Sequence, residues 1–171
     1  MIIIAFDPGS SASWARYDTT EPHLMRVGDV RTCGVGRMTR PCAIHVGELI
    51  ADADLVLVEE VGPMQHDGVS SSFTFGMAFG ALLAAVQAAA KPLRTVTPQQ
   101  WSVLLRTAGR ARIDSKEKKA AAVAMVREMW PCTHEDLSLK KHHNRADAAL
   151  IIRWFVERGP GRDAAGSPES S

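Results

Sequence analysis

Two stretches of the chain are apolar without a break, Met1–Phe6 and Leu55–Val58, and each runs straight into an acid. Short uninterrupted runs rich in Ile and Val predict strands buried on both faces of a sheet. The first stops at the turn sequence Asp7-Pro8-Gly9 and the second at Glu59-Glu60. Ser11–Tyr17 and His23–Thr32 read as extended neighbours joined through the polar turn Asp18–Pro22, an antiparallel arrangement. Leu93–Val96 is a fifth, short strand. Helical spacing marks Pro41–Ala53, through Ile44, Val46, Leu49 and Ile50, and an almost uncharged stretch from Ser72 to Ala90. Three more helices are predicted: Gln99–Arg106, with Pro98 at the first position; Ser115–Trp130, stopped by Pro131; and about Asn144 to Glu157. Loops are predicted at Gly62–Ser72 and at the basic segment Gly109–Ile113, and a disordered tail at Gly159–Ser171. This order predicts one α/β domain over residues 1–158, a mixed sheet with helices packed on it.

With 171 residues, 46% hydrophobic and 23% charged, the chain can bury one core and is not globally disordered. Its longest apolar stretch, around Met77–Ala90, contains Gly80 and Gln87, so no membrane-spanning segment is expected. The opening residues MIIIAFDPG lack the basic region of a secretion signal. Cys33, Cys42 and Cys132 are odd in number and unrelated in spacing. Neither a disulfide framework nor a Cys-x-x-Cys metal site is therefore expected, and the reducing cytoplasm is the expected compartment. Charge is unevenly spread: residues 1–90 carry five basic and ten acidic side chains, residues 91–145 twelve and five. Such a division suits a protein that holds cations at one site and a polyanion beside it, although solvated surface charge gives the same count.

The acids carry the candidate chemistry. Carboxylates at the ends of adjacent central strands lie close together, and like charges at short range raise each other's pKa unless a cation separates them. A hard divalent ion such as Mg²⁺ takes oxygen ligands and keeps several waters. Taken alone, Asp7 reads better as a turn-stabilising side chain. Glu59 and Glu60 point to opposite faces of a strand, and Glu59 shares its face with Leu55 and Leu57, so Glu59 is the one that can join Asp7. Asp147 lies among Ala146, Ala148, Ala149, Leu150, Ile151 and Ile152, where an acid needs a partner or a metal. His143 and Asn144, four and three residues earlier, can share its helical face. A neutral imidazole there could orient a water or act as a general base, or simply stand at a helix start.

Taken in order, six segments resemble the motifs of the RuvC-type Holliday-junction resolvases of the ribonuclease H-like superfamily, especially the short phage-encoded ones. They are Ile4–Gly9, Leu57–Val61, the loop and helix start Met64–Gly76 with its Gly-Val-Ser-Ser and Phe-x-Phe-Gly, Val96–Trp101, Ser115–Lys118, and His143–Ala148. The resemblance spans about residues 1–156. It implies a ribonuclease H-like mixed five-stranded sheet flanked by helices, and a homodimer that cuts DNA symmetrically at four-way junctions. It also implies divalent ions, two Mg²⁺ per active site with Mn²⁺ able to substitute. Carried over, the ligands are Asp7, Glu59, Asp147 and a residue one turn before Asp147. Family members have an aspartate three residues before the last acid or a histidine nearby; here Asn144 holds that place, and the adjacent His143 is the expected fourth residue. The family's aromatic wedge after the strand-end Glu is also missing: Gly62 stands there, which leaves Phe73 or Phe75 for the junction centre.

If the partner is branched DNA, the basic block acquires a role. Arg110, Arg112, Lys116, Lys118, Lys140, Lys141 and Arg145 are the expected phosphate contacts, giving binding that weakens steeply with salt. The amides of Gly68–Ser72, including Ser70, Ser71 and Ser72, are further candidates at the start of the long helix. Gly76, Gly80 and Ala84 repeat every four residues, and a helix apolar all round must bury two sides, so a two-fold interface is expected on the 72–90 helix. Three other readings compete. An ATPase of the actin and sugar-kinase type also opens with an Asp-x-Gly turn, but this chain is short and has no internal repeat. A non-catalytic junction binder is favoured by Asn144, and a nuclease for flaps or forks would share the same fold and ions.

Overall fold

The computed structural model describes residues 1–9, 12–60, 62, 68–107 and 115–158. Arg110, Arg112 and the 159–171 segment lie outside the described residues, as does the side chain of Lys116. The elements run β1 (Ile2–Asp7), β2 (Ser13–Asp18), β3 (Met25–Asp29), β4 (Thr32–Cys33), β5 (Arg40–Pro41), α1 (Ala43–Ile50), β6 (Leu55–Glu59) and α2 (Val69–Ala88). Then follow β7 (Leu93–Val96), α3 (Pro98–Trp101), α4 (Val103–Thr107), α5 (Ser115–Met129) and α6 (His143–Arg158).

Five strands form one mixed sheet in the order β3-β2-β1-β6-β7, antiparallel on the β3-β2-β1 side and parallel through β1-β6-β7. The unbroken apolar runs of β1 and β6 occupy the middle, where both faces are covered. Alternation then sorts their side chains into two cores. Ile3, Ala5 and Leu57 join the core closed by α5 and α6, with Ala122, Val126, Ala149, Leu150 and Trp154. Ile4, Phe6, Val56 and Val58 face the other way, onto Val46 and Ile50 of α1 and Leu82 and Val86 of α2. Helix α6, apolar almost all round, lies across β1, β2 and β3 and against α5, so burial on several sides accounts for its composition.

Several elements differ from expectation. Strand β1 continues through Asp7, which pairs with Ser13 in the ladder, so Asp7 is a strand-end residue and not a turn side chain. The segment predicted as Gln99–Arg106 is two short helices around Ser102, the first capped reciprocally by Thr97 and Gln100 with Pro98 at its start. The β4–β5 hairpin was not foreseen, because two-residue strands leave no periodicity. Helix α2 begins at Val69, three residues before the predicted start, and its 20 residues are long and apolar enough to cross a membrane by length and composition. That corrects the expectation of no such segment. In the fold, Ala78, Leu82, Ala85 and Val86 of this helix are buried.

The β4–β5 hairpin turns at Gly34, whose φ is +94° and where an added Cβ would lie 2.3 Å from the carbonyl oxygen of Met38. Backbone oxygen cannot move aside cheaply. Gly34→Ala is expected to destabilise the chain by about 1–3 kcal/mol in denaturant unfolding, acting through this hairpin.

Candidate active site

The parallel pairing of β1 with β6 sets Phe6 beside Val58, so the next residues, Asp7 and Glu59, finish adjacent strands on the face covered by α6. Both are nearly enclosed, at 8% and 9% exposure, whereas Glu60 turns to solvent, as the alternation required. Asp7 and Glu59 share a side-chain hydrogen bond. Asp147, half-buried on the second turn of α6, acts electrostatically on Asp7 and is itself acted on by Glu59. Three acids separated widely in sequence thus meet at one end of the sheet.

Their titration follows from this crowding. Burial pushes the Asp7 carboxyl well above the ordinary range, and the charges of Glu59 and Asp147 push it further. Burial also raises Glu59, against the opposing hydrogen bonds from Trp101 and Asp7. Asp147 is pushed up to about 7, by burial first and by Glu59 second. The ammonium of Lys119, from α5, offsets part of the shift at both Asp7 and Asp147. Among the described residues no three His, Cys, Asp or Glu side chains close a metal cage. The set is an open one, a hydrogen-bonded pair with a third acid in electrostatic reach. Oxygen donors with excess negative charge and little cationic compensation fit a hard divalent ion such as Mg²⁺.

The fourth position is built differently. The His143 ring places Nδ1 3.1 Å from the carbonyl oxygen of Lys140, within its own turn, and His143 is not among the groups that shift Asp147. Asn144 is half-buried beside it. The enclosed histidine is the preceding one, His142, whose pKa is lowered by burial and then by Arg145.

Trp101, the last residue of the Val96–Trp101 segment, also belongs to this site, although the segment alone assigns it no role. Its indole Nε1 donates to Glu59 Oε1 at 2.7 Å, from a residue only 7% exposed, held by the capped turn of α3. A buried donor aimed at a carboxylate favours the ionised form. Trp101→Phe removes the donor and some packing. The resulting loss of unfolding free energy is expected to be larger at pH 8 than at pH 4, by about 1–3 kcal/mol, because only the carboxylate has lost its partner. Equal losses at both pH values would mean that the indole serves packing alone.

The expected DNA contacts differ in exposure and in the partners they already hold. Lys118, Lys140 and Lys141 are exposed. Arg145 is not available: its guanidinium holds Asp29 with two hydrogen bonds, 2.9 and 2.6 Å, and the Asp136 carbonyl with a third at 2.7 Å. It fastens the first turn of α6 to the end of β3. Ser70 and Ser71 are exposed and Ser72 half-buried in the first turn of α2, but the amides of Ser71 and Ser72 donate to the Gly68 carbonyl and are used within the helix. Phe73 and Phe75 are 61% and 42% exposed, and two residues apart on a helix they point to nearly opposite sides.

A five-stranded sheet, antiparallel on one side and parallel on the other, flanked by helices and with acids ending its two central strands, is the ribonuclease H-like fold of the RuvC structures. Two solved structures show the likeness over nearly the whole chain. The Thermus thermophilus RuvC in complex with Holliday junction substrate superposes with a TM-score of 0.58 at 20% identity, covering 93% of this chain and 96% of that one. A second Thermus thermophilus RuvC structure gives 0.56 at 20% identity, over 93% and 97%. No protein-family model matches the chain, and no curated protein matches it in sequence.

Proposed function

We propose that the chain is a divalent-metal-dependent, structure-selective DNA endonuclease that resolves four-way junctions by paired phosphodiester hydrolysis. The observation that carries this reading is the convergence of the buried, hydrogen-bonded Asp7 and Glu59 with the half-buried Asp147 at the end of the central strands, each carboxyl raised above its ordinary range. A divalent ion bound there supplies Lewis-acid polarisation of the phosphate and a water of lowered pKa. The chain's own part is to present oxygens in a fixed frame. Asp7 and Glu59 do so from rigid strand ends, with Glu59 oriented by Trp101, and Asp147 does so from α6. His143 or Asn144 completes the set. Lys118, Lys140 and Lys141, with Arg110, Arg112 and Lys116 of the same basic block, contact phosphates, while Arg145 has a structural role.

A homodimer through α2 belongs to the same proposal. The helix buries Ala78, Leu82, Ala85 and Val86 and leaves Phe73, Gly76, Gly80 and Ala84 exposed on the other side, so an apolar face with small residues is open to a second copy. Two sites on one two-fold assembly would suit paired cuts. Sedimentation at micromolar concentration is expected to give a dimer, and Phe73→Asp a monomer.

The test is cleavage of a labelled four-way junction against linear duplex of equal length, in Mg²⁺ and in EDTA. Paired, Mg²⁺-dependent nicks on the junction alone support the proposal. The neutral Asn144 and the His143 ring, engaged by the Lys140 carbonyl of its own turn, favour a second reading, a junction binder that does not cut. Tight binding without cleavage in Mg²⁺ or Mn²⁺ would establish that reading, and cleavage of flaps or forks in preference to junctions would redirect the substrate.

A further inference from the structure

On the far side of the sheet from the acids, two of the three cysteines are neighbours. In the β4–β5 ladder Cys33 pairs with Arg40, and the Cys42 amide donates to the Arg31 carbonyl at 2.8 Å, continuing the ladder by one step. Cys33 and Cys42 therefore occupy the same face on a diagonal. In a flat ladder such a diagonal spans about 7–8 Å between Cα atoms, just beyond the roughly 7 Å that a disulfide bridges without backbone movement. Two-stranded ribbons twist strongly, which brings one diagonal closer. The side chains are already turned together: Cys33 Sγ lies 3.9 Å from the carbonyl oxygen of Pro41, the peptide unit that enters Cys42.

The two thiols differ in character. Cys42 stands at the start of α1, its sulfur facing the N–H groups of His45 and Ile44 without closing a capping bond. Those amides, then the Cys33 thiol and the Arg31 guanidinium, hold the Cys42 thiol below its ordinary range. His45 cannot serve as its base through Nδ1, which accepts the Arg31 amide at 2.8 Å. Both cysteines are half-buried, and α1 and β5 pack on α2.

We propose that Cys33 and Cys42 form an oxidisable dithiol, with Cys42 as the attacking sulfur and Cys33 as the resolving one, that closes to a disulfide on reaction with a peroxide. The thiolate of Cys42 attacks one peroxide oxygen, forming the S–O bond of a sulfenic acid as the O–O bond breaks. The hydroxide released takes up the proton that Cys42 gave, making water. The Cys33 sulfur then attacks the Cys42 sulfur; the S–S bond forms, the S–O bond breaks, and the departing hydroxide leaves with the Cys33 proton as a second water. One peroxide is reduced and two thiols are oxidised. The product ties β4 to the entry of α1. Cys132 has no thiol partner in its surroundings, where its sulfur lies 3.4 Å from the Met25 carbonyl oxygen and 3.5 Å from the Met25 amide.

The test treats the full chain with hydrogen peroxide, alkylates the free thiols under denaturing conditions, and digests without reductant. Cleavage after Arg37 puts the two cysteines on different peptides. The expected result is a linked pair joining Cys33 to Cys42, lighter by two hydrogens than the separate peptides, with Cys132 alkylated. In Cys33→Ser the Cys42 sulfenic acid has no resolving thiol and is trapped by a dimedone-type reagent. In Cys42→Ser no sulfenic acid forms at Cys33 under the same exposure. Full alkylation of Cys33 and Cys42 after oxidation, or links made only through Cys132, would overturn the proposal. Oxidation of Cys33 ahead of Cys42 would overturn the assignment of roles.

Discussion

Asp7→Asn is expected to slow junction cleavage by on the order of 10³-fold while leaving junction binding in EDTA as tight as before, or tighter. The amide nearly matches the carboxylate in size, so packing around β1 is kept. It cannot carry the charge that balances a divalent ion, and it places an N–H₂ group against Glu59. Binding to DNA in EDTA depends on phosphate neutralisation, and the substitution removes a negative charge from the vicinity. A second readout separates chemistry from folding. Asp7 is buried against Glu59 and near Asp147, and all three are raised. Removing one acid relieves the others, so Asp7→Asn should melt at a higher temperature than the unsubstituted chain in EDTA at pH 8. Cleavage retained within about tenfold would show that Asp7 is not at the reacting centre. Lost binding together with a lower melting temperature would show a folding defect instead.

The second large effect is on stability as pH changes. The ordinary Asp147 value of 3.8 becomes about 7 in the folded chain. Below pH 4 the folded and unfolded states both hold the proton, and folding carries no penalty from this group. Between 4 and 7 the unfolded chain releases the proton while the folded chain keeps it, so stability falls as pH rises. Above 7 both are ionised and the loss is complete, on the order of 4 kcal/mol for a shift of about three units. Asp7 and Glu59 act in the same direction. Urea unfolding in EDTA should therefore show a decline from pH 4 to pH 8. Millimolar Mg²⁺ should restore most of it at pH 8 and little at pH 4, where the oxygens are protonated. A flat profile in EDTA would mean that water reaches these acids more freely than their burial implies.

How far the sequence carried these conclusions depends on the range of the interaction. The central strands were legible because β1 and β6 are unbroken apolar runs, and β7 was legible to the residue because Lys91-Pro92 and Thr97-Pro98 bracket it. Glu59 rather than Glu60 followed from simple alternation. Asp147 stood out as an acid among alanines and isoleucines. Contacts between distant residues left no such trace. Nothing local marks Trp101 as the donor to a carboxylate 42 residues away, or Arg145 as the anchor of Asp29, 116 residues away. Arg145 looked like part of a basic surface because one-dimensional charge counting cannot tell a free guanidinium from an engaged one. The hairpin at β4–β5 was hidden for a different reason, since its glycine turn and two-residue strands fall below the length at which periodicity exists.

Helix α6 has a consequence for the order in which this protein becomes a competent molecule. It carries the third acid, and it also covers the apolar face formed by Ile3, Ala5, Ala15 and Val27. The hairpins β1–β2 and β2–β3 close short loops and can form early, whereas docking α6 onto β1 joins segments about 140 residues apart and is slow. Until that step the sheet has a bare greasy side and only two of its three acids. Afterwards it has both the cover and the complete set. Unravelling of α6 alone would accordingly carry Asp147 away from Asp7 and Glu59 and bare the apolar face, so the three acids stand together only in the fully assembled fold.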